Sequence, residues 1–217
     1  MINYYSIIRG AYEKSGRPGK NDENRACKEA ILEATTSLIE EIGADAVTVR
    51  KVIEKADVST GTFYHYFADK NDLMMAFVRE ESFDGFALQT SIQDVAGRQA
   101  ELYMHLINRY QAFGKDFMKR FYTTDNQALS AYLDEEDGRF ADGTVMARSE
   151  KELELSAAQG YLSASADLHL IAMDVCTIIK GCVFEWCLTR ECVEIQETLN
   201  RILRLYFSSL KPEIAVG

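Results

Sequence analysis

The chain has 217 residues, 47% of them hydrophobic and 27% charged, which is typical of a folded globular protein with a substantial core. No apolar run approaches the roughly 20 residues that a membrane-spanning helix needs. The start, MINYYSII, lacks the positive charges and the cleavage site of a signal peptide. We therefore expect a cytoplasmic protein with no membrane partner. Because the two prolines, Pro18 and Pro212, lie near the ends, the composition also favours an all-α fold.

The net charge of −10 argues at first against a nucleic-acid partner. The acidity is uneven, however. Residues 1–80 carry 11 Lys and Arg against 13 Asp and Glu, whereas the remainder carries 13 against 21. The basic residues of the first part cluster at 17–28, at 50–55 and at Lys70. This local distribution leaves DNA binding open.

Residues 1–22 are expected to form a flexible basic arm, because Gly and Pro within 15–20 forbid a continuous helix. Arg17 and Lys20 would follow a DNA minor groove or its phosphates, as basic arms do. A disordered tail without a partner explains the same composition equally well.

Four helices are predicted next. Apolar residues at helical spacing indicate a first helix over 25–42. Thr48 is a good N-cap for a short second helix, and a tight turn leads to a third helix capped by Ser59 or Thr60. A fourth helix starts near Asp69. The second and third helices fit a helix-turn-helix whose third helix enters the DNA major groove, although a plain three-helix core fits the pattern as well.

The remaining chain is again helical. Residues 91–122 are predicted to form one long helix, and further helices are predicted over 144–158, 167–188 and 191–210. Residues 123–143 are rich in Asp and Gly and predict an irregular, exposed stretch without the spacing of a calcium-binding loop.

The segment VTVRKVIEKADVSTGTFYHYFADKNDLM, residues 47–74, resembles the tetracycline-repressor-like (TetR) family of bacterial transcription regulators. The resemblance covers residues 25–80, while the rest of the chain agrees only in being helical and of the expected length. The matching residues fall at fixed offsets: Thr48, Arg50, Ala56, Val58, Ser59, Gly61, Thr62, Phe63, Tyr64, Tyr66, Phe67, Lys70 and Leu73.

The resemblance implies an all-α fold with an N-terminal three-helix DNA-binding domain over residues 23–70. A C-terminal helical domain over 71–217 would then bind a ligand and form the dimer. The family further implies a homodimer through the last two helices, a palindromic operator in double-stranded DNA as partner, and repression relieved by an unknown small-molecule effector.

The candidate DNA-binding residues lie on or beside the second and third helices. Arg50 can read guanine edges or clamp a phosphate. Phe63 and Phe67 share a face toward the core, which turns the intervening rings outward toward phosphate oxygens. The resemblance implies phosphate contacts for Tyr64, Tyr66 and Lys70. The full set is Thr48, Arg50, Ser59, Thr60, Gly61, Thr62, Tyr64, His65, Tyr66 and Lys70.

An aromatic-rich set in the second domain is the candidate ligand site, although aromatic stripes at helical spacing also serve as plain core. Its members are Tyr103, His105, Tyr110, Phe113, Phe117, Phe121 and Trp186. No catalytic triad, phosphate loop or metal-ligand spacing occurs, so we expect no catalytic residues, no metal site and no cofactor. The cysteines are expected to be reduced and packed.

Three alternatives remain open at this point. The second domain can mediate protein contacts without a small-molecule inducer. The helix-turn-helix can serve protein contacts only, or the chain can be a helical enzyme whose catalytic residues meet only in the folded structure.

Overall fold

The computed structural model describes residues 20–79, 83–163, 165–189 and 194–210. These residues form ten α-helices and one short β-hairpin, in the order α1 Lys20–Ile42, α2 Val49–Ala56, α3 Thr60–Tyr66, α4 Lys70–Arg79, α5 Val95–Ala112, α6 Lys115–Phe121, α7 Gln127–Leu133, β1 Glu135–Glu136, β2 Arg139–Phe140, α8 Val145–Ala158, α9 Leu168–Leu188 and α10 Ile195–Ser208. The predicted all-α fold is confirmed. None of the helices in these ranges combines the length and the apolar character needed to cross a bilayer.

Helices α2 and α3 form the helix-turn-helix, and side-chain caps fix both of their starts. The Thr48 hydroxyl accepts the backbone N–H of Lys51 at 3.3 Å, and the Ser59 hydroxyl accepts that of Thr62 at 3.0 Å. Asp57 ends α2 in the left-handed region, at φ 51°, and so reverses the chain into the turn. The caps predicted from the sequence are confirmed, with Ser59 rather than Thr60 at the second.

The core of this domain forms where four helices meet. Phe63 and Phe67, four residues apart, are buried with ring centroids 5.7 Å apart, as their spacing predicts. Ile31 of α1, Val52 of α2 and Leu73 of α4 are fully buried as well. This apolar centre fixes the orientation of α3 and so decides which of its residues face water.

Helix α1 begins earlier than the sequence pattern indicated. Lys20 is already helical, so residues 20–22, which were assigned to the arm, belong to this helix. Residues 1–19, the rest of the predicted arm, lie outside the described residues.

The predicted long helix over 91–122 is wrong in one respect, because it is broken in two. Helix α5 ends at Ala112, and α6 starts at Lys115 after Gly114, whose φ of 84° is left-handed and cannot continue a right-handed helix. Because of this break, α6 is a separate helix. It packs against α9 and against the 3-10 turn Ala44–Ala46 of the N-terminal domain.

The stretch 123–143 is more ordered than predicted. It holds α7 and the two-residue hairpin β1–β2. Buried Asn126 starts α7, since its side chain accepts the N–H of Leu129 and donates to the carbonyl of Phe121. One amide therefore ties the end of α6 to the start of α7.

In the second domain α5 packs against α8 and α10, and α9 packs against the same two helices. A buried carboxylate lies at the junction of α5 and α8. Glu152 is 3% exposed and is paired with Arg98 of α5 and with Arg148, one turn earlier on α8. Two guanidiniums thus neutralise one buried charge.

Replacing Glu152 with Gln should destabilise the protein by about 3 kcal/mol, because both guanidiniums then lose their buried counter-charge. Urea unfolding followed by circular dichroism measures the loss. Glu154→Gln, at an exposed position of the same helix, is the matched control and should leave the midpoint unchanged. Equal stability of the two variants would contradict a structural role for the buried carboxylate.

Candidate DNA interface and effector site

Helix α3 presents an open polar end and an outward ring on the side opposite its buried phenylalanines. Thr60, Gly61 and His65 are exposed, and Tyr64 is 54% exposed. A Cβ placed on Gly61 would meet nothing closer than the Ser59 hydroxyl, at 3.7 Å. The N-terminal end of α3 is therefore free to approach another molecule closely.

Tyr66 does not point outward, as the sequence predicts, but toward the core. Its ring is half-buried and packs against the apolar core of the domain, with the His65 ring edge-on at 4.9 Å. Burial raises the pKa of its hydroxyl, and Cys27 adds to the increase. Because α3 turns 100° per residue, Tyr66 lies about 60° around the helix from the buried Phe63 and about 160° from the outward Tyr64.

Arg50 lies in the first turn of α2 with its side chain 88% exposed. Its Nε donates to Glu54 Oε1 at 2.8 Å, and this hydrogen bond raises the pKa of the guanidinium. An ion pair at this exposure contributes little to stability. The guanidinium can therefore leave Glu54 for a base edge or a phosphate at small cost.

Lys70 is directed into the protein. Its ammonium donates to the carbonyls of Ala44 and Asp45, at 2.9 and 3.3 Å, in the 3-10 turn that follows α1. Burial, and then Lys51, lower the pKa of Lys70. A phosphate contact by Lys70, as expected from the sequence, would therefore use an ammonium that already donates to two backbone carbonyls.

The same 3-10 turn contacts the second domain. Lys70 Nζ lies 5.3 Å from the ring centroid of Phe117, and Arg120, also on α6, forms an ion pair with Asp45. Helix α6 is therefore joined to the N-terminal domain through one ring and one ion pair.

The candidate ligand residues fall into separate groups. Tyr103 and Tyr110 are buried on α5, and Phe113, Phe117 and Phe121 are buried at or along α6, with successive rings 5.4 and 5.3 Å apart. Trp186 is half-buried on α9 beside the Lys115 ammonium, which lies 5.6 Å from its centroid.

His105 belongs to another surface. Its ring stacks on Phe86 at 4.2 Å and faces a cleft of about 420 Å³ between α5, α10 and the segment before α5. Asp94 and Arg204 pair across this cleft, and Glu101 accepts the backbone N–H groups of Gln89 and Thr90. Sequence patterns do not predict this cleft, because its residues come from three separate segments.

Three of the cysteines are buried and free: Cys176, Cys182 and Cys187. Burial raises the pKa of each thiol, which keeps the thiols protonated. They pack as small apolar groups on α9, as predicted, whereas Cys192 lies outside the described residues.

These features define a helix-turn-helix followed by a mainly helical second part of the chain. Residues 31–77 match the family model described as "Bacterial regulatory proteins, tetR family". This match lies within residues 25–80, where the sequence resembles the same family.

Curated relatives match over part of the chain. The chain is 31% identical over 81 residues to the HTH-type transcriptional regulator BetI of Proteus mirabilis (strain HI4320), which is 37% of this chain and 40% of that protein. It is 40% identical over 50 residues to BetI of Escherichia coli O139:H28, which is 23% of this chain and 26% of that protein. The chain thus matches less than half the length of these relatives.

Solved structures match over most of the chain. Thermus thermophilus FadR, a TetR family transcriptional repressor in complex with lauroyl-CoA, aligns with a TM-score of 0.62 at 18% identity, over 88% of this chain and 98% of that chain. RolR in complex with resorcinol aligns with a TM-score of 0.61 at 16% identity, over 89% and 92%. At these identities the likeness shows the fold.

Lys70→Met should lower the free energy of unfolding by about 1–2 kcal/mol, because two carbonyls lose a charged donor. Thermal unfolding of the whole chain measures the change. Lys28→Met, at an exposed position of α1, is the control and should have no effect. A variant that loses DNA affinity with unchanged stability would instead indicate a lysine used for phosphate alone.

Proposed function

We propose that this protein is a sequence-specific DNA-binding transcription regulator, a repressor that a small-molecule effector releases from its operator. In this proposal residues 23–70 bind DNA, and residues 71–217 bind the effector and form the dimer. The observation that carries the proposal is α3 itself. Two buried phenylalanines anchor the helix, while its exposed N-terminal end and Tyr64 face outward.

In the proposed complex α3 enters the major groove. Thr60, Gly61 and Thr62 approach base edges, since the N-terminal residues of a recognition helix do so in helix-turn-helix proteins. Tyr64 and His65 lie on the outward face and contact phosphate oxygens. Tyr66 is half-buried and packs against the His65 ring. Thr48, Ser59 and Arg50 stand at the starts of α2 and α3, where a phosphate meets the positive end of a helix.

A homodimer through the last two helices is supported by an exposed apolar stripe on α9. Its residues recur at spacings of three and four and are all exposed: Leu170, Met173, Thr177, Gly181, Phe184 and Leu188. Leu205 of α10 is also exposed. A helix seam of this kind fits a second copy of the same seam, because a two-fold interface pairs a surface with itself. A dimer places two α3 helices on half-sites about one DNA turn, roughly 34 Å, apart, which predicts a palindromic operator.

A small-molecule effector is supported by the structural neighbours, since one is a complex with lauroyl-CoA and another a complex with resorcinol. The second domain here has the same fold and an aromatic interior. We retain the buried Tyr103, Tyr110, Phe113, Phe117 and Phe121 as candidate lining residues. His105 and Trp186 lie apart from this interior group.

Binding selection on random duplexes with the whole chain tests DNA recognition directly. A palindromic consensus is expected, with an affinity that falls steeply with salt because phosphate contacts release counterions. Recovery of no consensus sequence would refute the proposal.

On the selected operator, Arg50→Ala should weaken binding roughly tenfold or more, as expected for loss of a base or phosphate contact. Its thermal unfolding should stay unchanged, since the side chain is exposed. Glu54→Gln is the control: it removes the partner that holds Arg50 and should bind DNA at least as well as the original chain. Unchanged operator affinity in Arg50→Ala would remove this residue from the interface.

Phe184→Glu should convert the dimer to monomer, because it places a charge at the centre of the apolar stripe. Light scattering measures the mass, and operator affinity should fall with it. Phe184→Leu keeps the position apolar and should remain dimeric. A dimeric Phe184→Glu variant would locate the interface on another surface.

A further inference from the structure

The Tyr103 hydroxyl of α5 is buried in the second domain, with the Ser149 hydroxyl and the Cys176 thiol as its polar neighbours. Tyr103 is 1% exposed, and among the residues that the structure describes its hydroxyl has no hydrogen-bond partner at normal geometry. The neighbouring Ser149 hydroxyl donates instead to Gln99 Oε1 at 2.6 Å. By contrast, the Tyr206 hydroxyl donates to Asp174 Oδ2 at 2.6 Å. A buried polar group left unpaired costs stability, so an unpaired phenol inside a domain needs an explanation.

Tyr103 lies among further tyrosines, which we name the tyrosine cluster: Tyr103, Tyr110, Tyr122 and Tyr132. They come from α5, from the end of α6 and from α7. The rings of Tyr110 and Tyr122 meet edge to face at 6.3 Å, and Tyr103 and Tyr132 are both buried. Phenylalanine would fill the same space without polar atoms, so packing alone does not account for four hydroxyls here.

Two members of the cluster and a neighbouring thiol are uncharged. Burial raises the pKa of the Tyr103 and Tyr110 hydroxyls and of the neighbouring Cys176 thiol of α9, so all three stay protonated at neutral pH. A charged molecule placed among them would lose its hydration without gaining a counter-charge. An uncharged molecule meets no such penalty, and flat aromatic faces favour a ring.

We propose that the tyrosine cluster is the effector site, and that it takes an uncharged, ring-sized molecule whose oxygen accepts a hydrogen bond from Tyr103. This inference rests on the proposed function. It sharpens the candidate set, because Tyr122 and Tyr132 join Tyr103 and Tyr110, while His105 and Trp186 leave it.

The place of the cluster suits an effector that acts on DNA binding. Tyr122 is the residue that ends α6, and Tyr110 lies just before the break that starts it. A ligand between these residues contacts both ends of the helix whose Phe117 and Arg120 meet the N-terminal domain.

The first test needs no ligand. Tyr103→Phe removes an unpaired buried hydroxyl and should raise the melting temperature of the free protein by about 2–4 °C. Tyr206→Phe is the matched control: it removes a satisfied hydroxyl and should lower the melting temperature. If Tyr103→Phe lowers it as well, the Tyr103 hydroxyl is part of a satisfied core and the proposal is overturned.

The second test uses three probes of similar size: benzamide, which is neutral with an acceptor oxygen; benzoate, which is charged; and toluene, which has no acceptor. Titration of the whole chain by calorimetry is expected to show benzamide binding most tightly, with benzoate and toluene at least about tenfold weaker. Tyr103→Phe should lose about tenfold for benzamide alone. Tighter binding of benzoate, or no binding of benzamide at millimolar concentration, overturns the proposed ligand class.

Operator binding by the same samples separates this inference from the proposed function. A chain that binds its operator but fails either test keeps its role as a DNA-binding regulator and loses only this effector site. A chain that binds no operator sequence fails as a DNA-binding regulator, whatever its tyrosine cluster binds.

Discussion

The carboxylate of Glu152 is the constraint on which the packing of the second domain depends. It orients two guanidiniums, and their remaining donors hold the segment that follows α4. Arg98 donates to the carbonyl of Thr90 at 2.5 Å, and Arg148 donates to that of Phe83 at 2.7 Å. One buried charge thus fixes both the packing of α5 on α8 and the course of the chain that precedes α5. A change in the relative position of α5 and α8 must move that segment too, because the donors are shared.

A second junction lies at the 3-10 turn after α1, where Lys70 and Asp45 meet α6. The Lys70 ammonium carries three protons, and the carbonyls of Ala44 and Asp45 use two of them. A phosphate can accept the third only if the ammonium keeps its place at the edge of the domain. Stability of the turn and contact with DNA are therefore compatible at this residue, but they are coupled. Whatever moves Phe117 over the ammonium also affects the group that would meet phosphate.

Features encoded by neighbouring residues could be predicted from the sequence. A capping hydroxyl and its acceptor geometry lie within three residues, so the starts of α2 and α3 followed from Thr48 and Ser59, and the Phe63–Phe67 face followed from helical spacing. Features that depend on distant partners could not. Lys70 bonds to a carbonyl 26 residues earlier, and nothing local distinguishes an inward lysine from an outward one. Gly114 lies within a run of aromatic residues at helical spacing, and one glycine does not exclude a helix. Only its backbone angle reveals the break. Residue type alone groups Tyr103 with His105 as candidate ligand residues, although two helical steps place them about 200° apart on α5.

The short helix α6 links the two proposed sites. Helix α6 has seven residues, with Phe117, Met118 and Phe121 buried in the second domain and Arg120 on the outside, paired with Asp45. Because its Phe117 lies under the Lys70 ammonium, a shift of α6 as a rigid rod changes the buried packing and the contact with the DNA-binding domain together. In the proposed mechanism, a ligand between Tyr110 and Tyr122 and DNA at α3 favour different positions of α6. If so, DNA must weaken effector binding by the same factor as the effector weakens DNA binding.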